Sequence, residues 1–208
     1  MSDTTSSQVP GLYRRKIGDV TVTAISDGYI DAPFAAVLGI EEADADAILR
    51  ESFRRSPPRI NVNCYLIQSG GRTALVDTGS GDTMGPTLGH LFANLKACGV
   101  AEADVDTILL THMHPDHSNG LSAADGSKLF PNAEIVVSET DVEFWHDDGA
   151  RSRAPESQQT RYFDGAREQI APYQGQRKAP GDSVFPHVNA INLSGHTPGH
   201  TGYLIESS

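Results

Sequence analysis

Residues 109–120 read Leu-Leu-Thr-His-Met-His-Pro-Asp-His-Ser-Asn-Gly, placing four metal-competent side chains within six positions. The apolar run at 105–110 predicts a strand, so these donors arrive where a strand opens into a loop. Imidazole and carboxylate suit zinc, iron, manganese and similar divalent ions. His112 and His114, two residues apart, can point at one ion, while Asp116 and His117 are offset toward a second. Dense local supply of donors keeps the chain-entropy cost of such a site small. A closing ligand must then come from another strand connection, which requires a sheet that brings two loops together.

The segment Gly195-His196-Thr197-Pro198-Gly199-His200 supplies that second loop, directly after a predicted strand at 188–193. His196 is the closing donor for the first ion. His200 is assigned to support around the donors rather than to direct ligation. No cysteine lies between the two clusters, which excludes a thiolate zinc finger. Cys64 and Cys98 sit in apolar-periodic segments and read as reduced, packed thiols. His90, His146 and His187 have no ligand spacing to any partner and read as ordinary surface or helix histidines.

The rest of the chain alternates strands and helices, predicting an α/β or mixed α+β fold. Strands are expected at 17–26, 62–68, 72–76, 105–110, 134–137, 188–193 and 203–205, with a Ser69-Gly70-Gly71 hairpin turn. Helices are expected at 41–55, where acids open and arginines close the segment, and at 86–99, 139–146 and 162–170. Residues 149–160 are polar and read as a loop. The first ten residues read as a disordered tail, and 11–208 as one domain.

With 38% hydrophobic and 21% charged residues, the chain has the composition of a globular protein. A formal net charge of −11 argues against a nucleic-acid footprint and against docking on anionic lipid. No apolar run reaches a membrane span and the N-terminus lacks signal-peptide character, so a cytoplasmic location is expected. A small-molecule substrate is the expected partner, and a homodimer is compatible with the sequence.

The pattern His112-x-His114-x-Asp116-His117 followed by Gly-His196-Thr-Pro-Gly-His200-Thr resembles the metallo-β-lactamase-fold hydrolases. Leu75-Val76-Asp77-Thr78-Gly79 is similar to that superfamily's early strand–turn motif. Gly85-Pro86-Thr87-Leu88-Gly89, Phe130-Pro131-Asn132-Ala133 and Phe144-Trp145 resemble its methyl parathion hydrolase and lactonase branch. The resemblance implies a four-layer αββα sandwich with a dinuclear site at the loop ends. His112, His114 and His196 would hold one ion, and Asp116 and His117 the other. Zinc is the first choice, with iron, manganese or cobalt as alternatives. Asp116 is taken as catalytic, Asp77 as support for the metal loop, and Met84, Trp145 and Phe163 as pocket residues. For Trp145 and Phe163, ordinary core packing is the competing reading.

In the resembled family a metal-bound hydroxide attacks a carbonyl or phosphoryl centre, with two ions ~3.5–4 Å apart stabilising the attacking and developing oxygens. The implied reaction is hydrolysis of a small ester-like substrate, lactones first and organophosphate triesters second. Thioester hydrolysis, β-lactam hydrolysis and sulfur dioxygenation remain as superfamily alternatives, as does a catalytically weak metal-binding module. Family members continue past the second motif to supply a bridging Asp and a final His, which this sequence lacks before Ser208. The resemblance therefore implies a C-terminally incomplete domain with an unfinished second metal site.

Overall fold

A computed structural model of the chain describes residues 10–36, 39–181 and 183–208. The expected tail, apart from Pro10, lies outside the described residues. The chain opens with a hairpin of β1 (Leu12–Ile17) and β2 (Val20–Asp31), with Ile17 opposite Val20. The single strand expected at 17–26 is thus corrected: Gly18-Asp19 is a turn, and the β-branched run belongs to β2 alone. Helix α1 (Glu42–Glu51) follows, with Arg50 paired to Asp46 one turn earlier at 2.7 Å.

Strands β3 (Arg59–Ser69) and β4 (Arg72–Val76) form the expected hairpin around Gly70-Gly71. Helix α2 covers only Leu91–Ala97 of the longer segment expected. Gly89 explains the late start: its φ is 82°, and a Cβ there would lie 2.5 Å from the Gly81 carbonyl oxygen. Strand β5 (Thr107–Leu109), helix α3 (Pro115–Ser118) and strand β6 (Glu134–Val136) follow.

Next come α4 (Glu139–His146), α5 (Asp148–Arg153), α6 (Glu156–Gln158), a π-helical turn at Gln159–Asp164, and α7 (Gly165–Ile170). The loop expected at 149–160 is therefore largely helical. The Asp147 carboxylate accepts the Gly149 and Ala150 N–H groups and caps α5, a local signal that hydrophobic periodicity does not carry. Strands β7 (Arg177–Lys178), β8 (Ser183–Phe185), β9 (Val188–Asn192) and β10 (Thr201–Ile205) complete the described elements.

β1 to β7 form one sheet in sequence order, antiparallel through β4 and parallel from β4 onward. β8, β9 and β10 form a second, antiparallel sheet. Strand alternation gives the large sheet two apolar faces. Ile25, Leu66, Leu75, Ile108 and Ile135 face the helices, with Leu91, Leu95, Trp145 and Ile170 in one cluster. Val20, Ile67, Ala74, Leu109 and Val136 face the second sheet through Val184, Phe185 and Val188. The described residues thus stack helices, large sheet and small sheet, in the order of an αββα sandwich. Among them, no helix is long and apolar enough to cross a membrane.

Candidate metal centre

Leu110 N–H donates to the Val136 carbonyl, and then the chain leaves the sheet. Pro115, with its fixed φ, starts α3, and the His117 and Ser118 N–H groups both donate back to the His114 carbonyl. This tight turn presents His112, His114, Asp116 and His117 from one loop. The second loop runs from β9 to β10, closed by Leu193 N–H donating to the His200 carbonyl. Thr201 N–H donates to the Thr111 carbonyl at 2.8 Å, tying the bases of the two loops together.

The loops bring three imidazoles to one point. His114 Nδ1 lies 3.0 Å from His112 Nε2 and 3.0 Å from His196 Nε2, across 82 residues of sequence in the second case. Thr111 Oγ1 donates to Asp77 Oδ2 at 2.8 Å, so its oxygen accepts from His112 Nδ1 at 2.9 Å. That bond leaves the His112 Nε2 lone pair facing the other imidazoles. Zinc–nitrogen bonds of about 2.0–2.1 Å at tetrahedral angles set donors about 3.3 Å apart, so the three nitrogens fit one divalent ion.

Asp116 and His117 stand beside this triad, with the His117 ring centroid 4.1 Å from that of His112. His117 Nδ1 donates to Asp77 Oδ2 at 2.8 Å, and its Nε2 lies 3.3 Å from Asp116 Oδ2. Asp77 also accepts the Thr111 N–H, and its backbone holds a positive φ of 58°. One side chain therefore braces the donors of both halves. The His200 ring stacks on that of His112 at 4.7 Å, and its Nδ1 is buried with no protein partner among the described residues.

Burial, reinforced by the neighbouring imidazoles, drives His112 far below the usual histidine range. The same causes lower His114 to about 4. Burial also opposes charge on His117, but the Asp77 and Asp116 carboxylates outweigh it and raise that residue to about 10. Asp116, although burial works the other way, is held below the ordinary carboxylate range by His117. His112 and His114 are neutral and ready to ligate at neutral pH, and the second pair is an anion beside a cation.

A cavity of about 620 Å³ opens beside His114 and His196, walled by Phe144, Trp145, Tyr162 and Phe163, with Arg153 on its lining. The Trp145 and Tyr162 rings lie 5.4 Å and 5.2 Å from the His114 ring. Trp145 and Phe163, each 4% exposed, belong to the helix-side core and also line this cavity. Met84, also expected at the pocket, is half-buried in the glycine-rich loop after β4. His146 Nδ1 donates to the Val142 carbonyl and His187 Nδ1 to the Glu206 carbonyl, as ordinary helix and turn contacts.

Two residues at the site escaped sequence reasoning. Tyr162 sits in the π-helical turn, where helical periodicity breaks. Asp141 looks like one more acid in the first turn of α4, yet it is fully buried and accepts the Trp145 indole N–H at 3.1 Å. The signal was the i, i+4 spacing of an acid and the one tryptophan of the chain.

The sequence model of the Metallo-beta-lactamase superfamily matches residues 57–207. The crystal structure of hydrolase AbOPH in the beta lactamase superfamily is 34% identical, with a TM-score of 0.85 over 97% of this chain and 72% of that one. AidC, a dizinc quorum-quenching lactonase solved in complex with the product N-hexnoyl-L-homoserine, is 26% identical, with a TM-score of 0.87 over the same shares. The N-acyl homoserine lactonase of Bacillus sp is 28% identical over 164 residues, which cover 69% of this chain and 58% of that protein. The chain spans less than two thirds of the curated relatives it matches.

Proposed function

The chain belongs to the metallo-beta-lactamase superfamily, and from that premise we propose that it is a metal-dependent hydrolase of small lactones, with phosphotriesters as a secondary substrate class. One observation carries this reading: three imidazole nitrogens from two loops meet beside a cavity walled by aromatic rings. His112, His114 and His196 hold a first divalent ion, zinc in the first instance, and Asp116 with His117 supply donors to a second. Such ions, when bound, lower the pKa of water and stabilise negative charge developing on a substrate oxygen.

The chain's own residues do the rest. Thr111 and Asp77 fix which nitrogen of His112 and His117 faces the centre. Asp116, 3.3 Å from His117 Nε2, takes the role of the carboxylate that holds and returns a proton at the reacting centre. Phe144, Trp145, Tyr162 and Phe163 take the apolar arm of the substrate and exclude water from that side. A phosphotriester develops charge on its phosphoryl oxygen as a lactone does on its carbonyl oxygen, which is why the same site supports both.

The test is hydrolysis by zinc-, manganese- and cobalt-loaded protein of a lactone panel, a phosphotriester, a thioester and a β-lactam, with metal content measured in parallel. Lactone turnover exceeding the others by tenfold or more is the expected outcome. Metal uptake with faster β-lactam or thioester turnover would replace the substrate assignment.

A further inference from the structure

Asp141 is fully buried in the first turn of α4, and both of its oxygens accept N–H groups from elsewhere in the chain. Oδ2 takes the Met113 N–H at 2.9 Å, from the residue between His112 and His114. Oδ1 takes the Gly199 N–H at 3.2 Å, three residues after His196. Oδ2 also takes the Trp145 indole N–H at 3.1 Å. One carboxylate therefore touches the first donor loop, the second donor loop and the cavity wall. Gly199 is shaped to this contact: a Cβ there would lie 2.4 Å from the Asp141 nitrogen and 2.5 Å from Ser138 Oγ.

We propose that Asp141 is a positioning residue that sets the separation of His114 from His196 and couples metal binding to the orientation of Trp145. The backbone N–H groups it holds belong to the loops, so moving the carboxylate moves both sets of donors at once. Trp145 is the only tryptophan of the chain, and its ring packs edge-on to His114. An ion held by His114 is therefore reported by tryptophan emission, through a ring that Asp141 orients. This inference rests on reading the three histidines as a metal centre.

The experiment titrates metal-free protein with zinc against a chromogenic chelator while recording tryptophan emission. The variants are Asp141→Asn, Asp141→Glu and Gly199→Ala, with metal-free thermal melting measured for each. Asp141→Asn turns an amide against one of the N–H groups and is expected to weaken zinc binding 10–100-fold and to blunt the zinc-induced emission change. Asp141→Glu, which keeps the carboxylate, is expected to recover part of both. Gly199→Ala pushes the second loop off an intact Asp141 and is expected to weaken zinc binding similarly, which covers the case of Asp141→Asn failing to fold. Unaltered affinity and emission response in folded Asp141→Asn, or in Gly199→Ala, overturn the coupling while leaving the metal centre in place. Absence of zinc uptake by the unaltered chain overturns the metal centre and the coupling with it.

Discussion

His117 donates its Nδ1–H to Asp77 Oδ2 at 2.8 Å, joining the loop after β4 to the loop after β5. Asp77 is one of the two largest reasons His117 stays protonated to about pH 10 in the metal-free chain, Asp116 being the other. Replacing Asp77 with Asn removes a negative charge and leaves a similar shape. The His117 pKa is expected to fall toward the ordinary imidazole value by more than about one unit, read by NMR titration of metal-free protein. Activity of the loaded protein should drop ~10–100-fold, as for loss of other partners that orient ligands. An unmoved His117 titration would show that Asp77 does not set its charge.

His196 is exposed and sits in a loop, so its side chain contributes little to packing. His196→Ala should leave thermal unfolding of the metal-free protein within a few degrees of the parent. Zinc affinity should fall by more than about 100-fold, because one of three nitrogens is gone. Elemental analysis after dialysis checks this, and retained zinc at parental stoichiometry would remove His196 from the ligand set.

Tyr162 and Phe163 are neighbours with different burdens. Phe163 is packed into the helix-side core, whereas Tyr162 is only half-buried along the cavity. Phe163→Ala should cost ~3–5 kcal/mol of stability through the void it leaves. Tyr162→Ala should cost under about 1 kcal/mol and instead raise KM several-fold for lactones with long acyl arms. Denaturant unfolding and steady-state kinetics on both variants separate the roles.

Asp106 precedes β5, at the end of that strand opposite the donors, and offers a pH test of the scaffold. Partial burial alone would raise its pKa, but the Thr73 N–H, the Thr107 hydroxyl and the Arg72 guanidinium together hold it below the usual value. A carboxylate depressed in the folded state stabilises above its unfolded pKa of about 3.9, and that contribution disappears as pH falls through the folded value. Asp106→Asn should therefore cost up to about 1 kcal/mol at pH 7, allowing for solvent screening of a part-exposed pair. The difference from the parent should vanish in strong acid, below the depressed folded-state value. Urea unfolding at both pH values measures it, and an equal difference at both would exclude an ionic origin.

The donors were legible because their chemistry is local: His112, His114, Asp116 and His117 are adjacent in sequence, and His196 follows a strand of its own. Asp141 was not, since what defines it is hydrogen bonds from residues 28 and 58 positions away. The strands with β-branched alternation were found to within a few residues, but β1 was hidden because Tyr13, Arg14, Arg15 and Lys16, four of its six residues, are exposed and show no apolar alternation. Helices α5 and α6 carry no apolar stripe and depend on a cap and on packing beneath them, which composition does not register.

The parallel register of β4 and β5 sets Val76 opposite Leu109, and Asp77 N–H then donates to the Leu109 carbonyl. Between those strands the chain makes a long crossover through α2, where added or deleted residues can be absorbed at the exposed turn around 101–104. Within the strand ends no such slack exists. One residue inserted between Leu75 and Asp77, or between Ile108 and His112, would turn the brace or the ligands to the opposite side of the sheet. Tolerance of length change along this chain should therefore be sharply uneven, with the crossover permissive and the two strand tips closed to it.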